Sequence, residues 1–464
     1  MTASPRRPAS RSTSKPSARR LAYSILLSVE TEAAYASELL HSRLDANLDP
    51  REAGLATELV MGTLRWQRLL DFFVERYTGR KTSALDREVL IALRLGVYQL
   101  RYLTRIPARA AVSESVELVK RARKKSAAPL VNAALRRASA EREQPAAKFV
   151  PADKDATEAM AILHSHPTWL VDRWLRNFGE EQTIALLEAN NRAPEHACAF
   201  LNSARREDTL RSLDEAGINF EAGRLLRDAI VVRRGNVANT EAFRSGWIGI
   251  QDEASQMIPL LLGVRPGDAV LDLCAAPGGK TMALARLVGE QGSVVASDFH
   301  EARLRAMHER LAIAGAANVA LVALDCTGPL PFARTFDRIL IDAPCSGTGT
   351  LARNPEIRWR LRADDLADLH RRQEALVRSA LERLSTKGAF LYSTCSLEPE
   401  ENEAVIREAL AGNSGFRHEP LKIPEDWLGT DVNERQLIGG DGAFRTFPPA
   451  HHTDGFFAAL IVRE

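Results

Sequence analysis

Between residues 18 and 142 the apolar positions recur only at helical spacing. Leu21, Ile25 and Leu26 share one face, as do Leu59, Val60 and Leu64, and then Leu90, Leu93, Val97, Leu100 and Leu103. No strand-like alternation interrupts them, so the pattern predicts an all-α domain. From Val112 to Lys124 a helix is predicted with Val112, Val116 and Val119 on one stripe and Lys120, Arg123 and Lys124 on another. That basic stripe reads equally as a solvated surface or as a contact for RNA phosphates.

The pattern changes further along. Residues 143–160 are polar and proline-bearing and read as a linker. Over 161–250, helical runs (Trp169 to Phe178, Glu180 to Asn190) lead to short strand-like pieces such as Ala229 to Arg233, which predicts a small α+β subdomain. From Gln251 to the last residue, 464, strand and helix alternate. Strands are predicted at Ala269–Leu273, Ser293–Ser297, Val319–Leu324, Arg338–Asp342 and Ala389–Ser393. Helices are predicted at Thr281–Val288 and at Glu301–Ala314, the second stopped by Gly315. Such alternation means a parallel sheet covered by helices on both faces, a Rossmann-like α/β domain. Gly455–Val462 reads as a closing antiparallel strand.

Charge and composition refine this picture. A net charge of +2 hides an uneven distribution: residues 101–137 carry ten Lys/Arg against Glu114 and Glu117. Residues 1–17 contain basic side chains and no acid, with Pro5, Pro8 and Pro16 breaking any helix, and read as a disordered basic tail. Local basic surfaces of this kind attract nucleic-acid backbones. No apolar run approaches the roughly 20 residues of a membrane helix. The five cysteines are scattered without CxxC spacing, which argues for a reducing, cytoplasmic setting and against a disulfide framework or a metal site.

The run from Val270 to Thr281 is a strand, a tight turn and a helix start. Its small residues let a ligand approach backbone N–H groups at the helix N-terminus. Gly279-Lys280-Thr281 imitates a phosphate-binding loop, but Cys274 stands where the first glycine of that loop belongs. G-x-G-x-x-G is absent too. A nucleoside-containing cofactor without a long phosphate chain fits better, with Asp298 after the second strand placed for a ribose. Asp325 reads equally as a contact for an adenine amino group or as a turn residue.

Asp342 and Cys345 follow one predicted strand and Cys395 the next. Adjacent strands lie roughly 5 Å apart, so the two thiols and the acid would share one crevice. Carbon 5 of cytosine is a poor nucleophile; a thiolate added at carbon 6 makes it enamine-like. An acid must protonate ring nitrogen 3, and Asp342, with a raised pKa, is the expected donor. The second thiol would help take the carbon-5 proton or release the product. The target base must leave its stack to reach such a site.

These residues resemble the bacterial RsmB (Sun/Fmu-type) 16S ribosomal RNA cytosine-5 methyltransferases of the wider NOL/NOP/Sun group. The likeness rests on Gln251-Asp252-Glu253-Ala254-Ser255, on the loop Cys274 to Lys280, on Asp342 to Gly349, on Arg353-Asn354-Pro355 and on Ser393 to Asn402. It implies a class I methyltransferase domain over 251–464 using S-adenosyl-L-methionine, with Cys395 the nucleophile and Cys345 the release thiol. It implies cofactor binding by Cys274, Ala275, Ala276, Pro277, Gly278, Gly279, Lys280, Asp298, Asp325 and Asp342. His166 to Leu170 and Asn190-Asn191 resemble that group's small RNA-binding subdomain. Leu64-Arg65-Trp66, Gly96 to Leu100 and Arg105 to Ala108 resemble a NusB-type RNA-binding domain, which points to ribosomal RNA and moves the basic helix towards RNA contact. Three rival readings fit the same residues: a transfer-RNA cytosine-5 methyltransferase, a non-catalytic RNA-binding assembly factor on the same scaffold, and a nucleotide hydrolase weakened by the missing glycine. A monomer suits a bulky RNA partner.

Overall fold

The computed structural model describes residues 17–32, 34–44, 49–151, 153–430 and 432–464. The expected basic tail, Ser17 apart, lies outside the described residues. By packing, the chain forms two compact units: Met1–Arg173 with Asn354–Glu356, and Trp174–Arg353 with Ile357–Glu464.

The first unit is helical: α1 (Ala18–Glu32), α2 (Ala36–Arg43), α3 (Pro50–Arg65), α4 (Gln67–Thr78), α5 (Arg87–Tyr102), α6 (Ala108–Arg121), α7 (Ala128–Ala140) and α8 (Ala156–Leu163). Local chemistry sets several ends. Asp49 caps α3 by accepting from the Arg51 N–H with Pro50 in the first turn. Gly79 ends α4 in the left-handed region. Every residue of α5 from Val89 to Leu100 is buried, which makes it the central helix. Its buried Arg94 is held by Asp71 and Glu30. In α6, Val112 and Val119 face the core as expected. The helix stops at Arg121, however, so Arg123 and Lys124 lie beyond it, and Lys124 pairs with Asp86 at 2.9 Å. Within 143–160, read as a linker, Phe149 and Val150 pack on this same helical core.

The boundary at Arg173 falls inside the stretch 161–250 and inside α9 (Thr168–Asn190), which is two helices broken at Gly179. Next come β1 (His196–Phe200), α10 (Arg206–Glu215), β2 (Asn219–Ala222), β3 (Ile230–Arg234), α11 (Glu241–Arg244) and β4 (Ile248–Ile250). The strands form an antiparallel sheet of order β2-β3-β1-β4 over a core including Cys198, Leu213, Ile230 and Ile248.

The rest builds a larger sheet. Its elements are α12 (Glu253–Leu261), β5 (Ala269–Leu273), α13 (Gly279–Val288), β6 (Ser293–Asp298), α14 (Glu301–Ala314), β7 (Val319–Ala323), β8 (Phe336–Asp342), α15 (Ile357–Arg360), α16 (Asp365–Leu381), β9 (Leu384–Thr394), α17 (Glu403–Leu410), β10 (Phe416–Glu419), β11 (Phe444–Arg445) and β12 (Phe457–Arg463). Strand order is β10-β12-β9-β8-β5-β6-β7, with β11 beside β12. Strands β5 to β9 are mutually parallel, and β12 enters antiparallel to β9. Central strands are apolar on both faces, as Val270, Leu271, Ile339, Leu340 and Ile341 show. The order turns back on itself at β5 and β8, and the crevice beyond the carboxyl ends of those strands is where such sheets bind ligands.

Candidate active site

The first wall of the crevice is the turn from β5 into α13. Cys274 adopts a positive φ of 62° and Gly278 one of 103°. A Cβ on Gly278 would lie 2.8 Å from the Met307 side chain, so the turn closes only on glycine there. Asp272, the penultimate residue of β5, is buried, and burial pushes its carboxyl up to about 7. One oxygen accepts from Thr281 Oγ1 at 2.5 Å, while Oδ1 has no hydrogen-bond partner. Asp298 ends β6, accepting from the backbone N–H groups of Ala276 (3.2 Å) and His300 (2.9 Å). Asp325 is exposed, and its Oδ1 accepts from Thr327 N and Oγ1, which holds its carboxyl below the usual range. It is thus a turn residue through one oxygen.

The second wall comes from the loops after β8 and β9. Asp342 and Ser393 are register partners on these strands, and Ser393 Oγ donates to Asp342 Oδ1 at 3.0 Å. Lys280 Nζ lies 2.6 Å from Asp342 Oδ2 and 5.3 Å from the Phe456 ring centroid. The expected acid and one expected cofactor residue are therefore an ion pair. Cys345 Sγ and Cys395 Sγ are 3.3 Å apart, and both residues keep some exposure. The hydrogen bond to Cys395, and then burial, push the Cys345 thiol well above its usual range. Of the other cysteines, Cys198 and Cys326 are buried and Cys274 partly so. Burial raises Cys198 to about 12 and raises Cys274 and Cys326 as well.

Two clefts flank these walls. One of about 420 Å³ follows α13 from Gly279 to Arg286, between Phe200 and Trp427. The other, about 440 Å³, is lined by Arg192, Arg353, His452 and Asp454. Neither is lined by the two sulfurs, although the second reaches Gly349, whose N–H donates to the Cys395 carbonyl at 2.9 Å. In the second, Arg353 bridges Asp252 (2.7 Å) and Asp454 (2.8 Å). Among the described residues, His370, Glu374 and Glu408 could converge on a cation, but His370 is already bonded to the Glu400 carbonyl and to Glu408.

Sequence reading did not single out three polar groups: Asp272, Ser393 and Glu401. Asp272 stood in plain view within the apolar strand Val270–Leu273, and a carboxylate inside such a run is itself a signal. Ser393 and Glu401 lie inside the run Ser393 to Asn402 that carries the family likeness, but nothing in that run marks their partners Asp342, Ser346 and Gln373.

A cofactor with a cationic amino-acid end fits this turn. The orphaned Asp272 Oδ1 wants a donor, the helix N-terminus offers N–H groups, and the glycine positions leave room for close approach. Such a crevice, on this strand order, defines a methyltransferase that uses S-adenosyl-L-methionine. Residues 259–462 match the family described as 16S rRNA methyltransferase RsmB/F, 16–140 match the NusB family, and 166–238 match the ferredoxin-like domain of RsmF/B-like methyltransferases. The chain is 34% identical to a probable ribosomal RNA small subunit methyltransferase B of Bacillus subtilis, covering 97% of this chain and 99% of that one. Identity to the ribosomal RNA small subunit methyltransferase B of Pseudomonas putida is 35%, over 91% and 94% of the two chains. A crystal structure of a methyltransferase homologue from Pyrococcus horikoshii is 31% identical, with a TM-score of 0.57, over 67% of this chain and 100% of that one. The chain belongs to the RsmB family of 16S ribosomal RNA methyltransferases: a NusB-like helical domain, a small α+β domain and a Rossmann-like catalytic domain.

Proposed function

We propose that this protein methylates carbon 5 of a cytosine in 16S ribosomal RNA through a covalent bond between Cys395 and carbon 6. The observation that carries this reading is the pair of sulfur atoms 3.3 Å apart at the ends of adjacent parallel strands, beside Asp342. Cys345, its thiol raised by that contact and by burial, is the neighbouring thiol, and the sulfur of Cys395 is the one that attacks, its proton passing to solvent. As the C6–S bond forms, the ring takes a proton at nitrogen 3 from the Asp342–Lys280 pair, and carbon 5 gains electron density. When bound, S-adenosyl-L-methionine supplies an electrophilic methyl group. Once the Cys395 sulfur is bonded to carbon 6, its hydrogen bond and field no longer hold the proton on Cys345, which passes that proton to solvent and then removes the carbon-5 proton. The freed electron pair restores the C5–C6 double bond, the C6–S bond breaks, Cys395 leaves as thiolate, and nitrogen 3 returns its proton.

Cofactor contacts fall to Cys274–Lys280, Asp298, Asp325 and Asp342, and Asp272 joins them. The domain limits 18–142, 143–160, 161–250 and 251–464, a monomeric state and a cytoplasmic location complete the reading. Among the described residues, no helix is long and apolar enough to cross a membrane.

The test uses purified protein, labelled cofactor and 16S RNA. Cys395→Ala abolishes methyl transfer, and Cys345→Ala accumulates an RNA adduct that survives denaturing gels. Normal turnover by Cys395→Ala refutes the mechanism. Bisulfite mapping of RNA from cells with and without the gene identifies the base; a modified transfer RNA in place of 16S RNA would reassign the substrate.

A further inference from the structure

Both thiols sit on short loops, yet a spacing of 3.3 Å requires those loops to be fixed against each other. The backbone ladder between β8 and β9 ends at Asp342 and Ser393, before either sulfur. Beyond the sheet the loops are joined at their far side by the Gly349 N–H on the Cys395 carbonyl and the Leu397 N–H on Thr348 Oγ1, both 2.9 Å, and next to the sulfurs by Glu401. Glu401 is fully buried, four-fifths of the way along the Ser393–Glu403 segment. Its Oε1 accepts from the Ser346 N–H at 2.8 Å and from Gln373 Nε2 at 3.0 Å. Its Oε2 accepts from Ser396 Oγ at 2.5 Å and from Ser346 Oγ.

Ser346 follows Cys345 and Ser396 follows Cys395. One carboxylate therefore holds the residue next to each thiol. Gln373 extends the tie from α16, since its Nε2 also donates to the Pro344 carbonyl at 2.9 Å. The Glu401 main chain is fixed in turn, its carbonyl accepting from Tyr392 OH at 2.7 Å. Each carboxylate oxygen takes two donors, which fills the acceptor capacity of an ionised carboxyl group. A buried charge costs heavily unless so compensated. No Lys or Arg supplies any of these four bonds: three come from the two loops and one from Gln373 on α16.

We infer that Glu401 is a positioning residue that clamps the loops bearing Cys345 and Cys395 and so sets the spacing of the sulfur pair. The burial argument supports it; the Cys345 thiol is raised first by the Cys395 contact and by burial, and the field of the Glu401 carboxylate adds to both in the same direction. Glu401 acts through Ser346 and Ser396, the neighbours of the two cysteines. The role in turnover rests on the cytosine-adduct reading; the spacing does not.

Phenylarsine oxide reads the spacing directly. Its arsenic forms bonds to two nearby thiols, and its oxygen leaves as water with both thiol protons, so no oxidant is needed. Wild type captures it at both sulfurs, and Cys395→Ala, as control, does not. Glu401→Ala is expected to lower capture at least about tenfold. It also lowers kcat about 100-fold, the scale of a 1 Å misplacement of reacting groups, with cofactor affinity and RNA KM within about threefold of wild type. Glu401→Gln keeps the clamp, because its oxygen can face Ser346 N and Gln373 while the two serine hydroxyls rotate to accept from its amide; both readouts stay within about fivefold of wild type. Should Glu401→Ala fail to fold, Ser396→Ala, which unties one loop only, carries the same prediction in weaker form. Arsenical capture by Glu401→Ala at wild-type affinity overturns the inference. A wild type that captures the arsenical but never methylates RNA would instead overturn the adduct reading and leave the clamp standing.

Discussion

Replacing Asp272 with Asn tests the physics of the cofactor wall without reference to catalysis. The carboxyl is buried at the end of β5, raised to about 7 by burial, with one oxygen bonded to Thr281 and the other unpartnered. In the unfolded chain the same group titrates near about 3.9. Between those values the folded protein holds a proton that the unfolded chain has released. Folding is therefore favoured by low pH: the contribution is complete below about pH 4 and is gone above about pH 7. Relative to Asp272→Asn, wild type should lose about 1.4 kcal/mol per pH unit across that window, or roughly 3 kcal/mol between pH 5 and 7, and level off above it. Urea unfolding followed by circular dichroism, in steps from pH 5 to 8.5, measures the difference, and any transition of the helical unit cancels between the two proteins. Parallel stability curves, with a gap constant to about 0.5 kcal/mol, would show that Asp272 does not carry a buried proton and that the reasoning about its orphaned oxygen is wrong. If that oxygen receives the ammonium end of the cofactor, calorimetry should also show affinity rising through the same pH interval in wild type and flat in the Asn variant.

Two further outcomes follow from the site. Gly278→Ala forces a side chain into a φ of 103° and towards Met307, costing about 1–3 kcal/mol of strain; urea unfolding should register that loss and calorimetry a weaker cofactor. A mild thiol oxidant such as diamide should join Cys345 to Cys395, given their 3.3 Å separation, removing two titratable thiols and the capacity to form an RNA adduct; dithiothreitol restores both, and an unchanged thiol count refutes it.

Much of the catalytic sheet was legible because periodicity and burial agree there. Ala269–Leu273 and Glu301–Ala314 have the predicted limits, and the run around Ile339 is apolar because both faces of the sheet are covered. Limits failed where neighbours decide them. Strand β9 begins at Leu384, five residues ahead of the predicted start, because β8 reaches back to Phe336 and pairs with it there. Helix α6 ends at Arg121, since Arg123 takes a positive φ and Lys124 turns to Asp86, so two residues read as a basic stripe leave the helix. The thiols and the cofactor turn could be read from local motifs. Glu401 could not, because its importance lies in donors from Ser346 and Gln373, and linear spacing carries no trace of them.

Strand β9 has its carbonyls and N–H groups satisfied on one side by β8 and on the other by β12, whose Phe457 faces Thr394. On a nascent polypeptide the second partner emerges only after α17, β10 and β11 have been made. Until then the strand leading to Cys395 is an open edge, able to recruit stray chains. Synthesis order thus leaves the approach to Cys395 unfinished until β12 has been made, and that interval is the one in which wrong pairing of this strand is most to be expected.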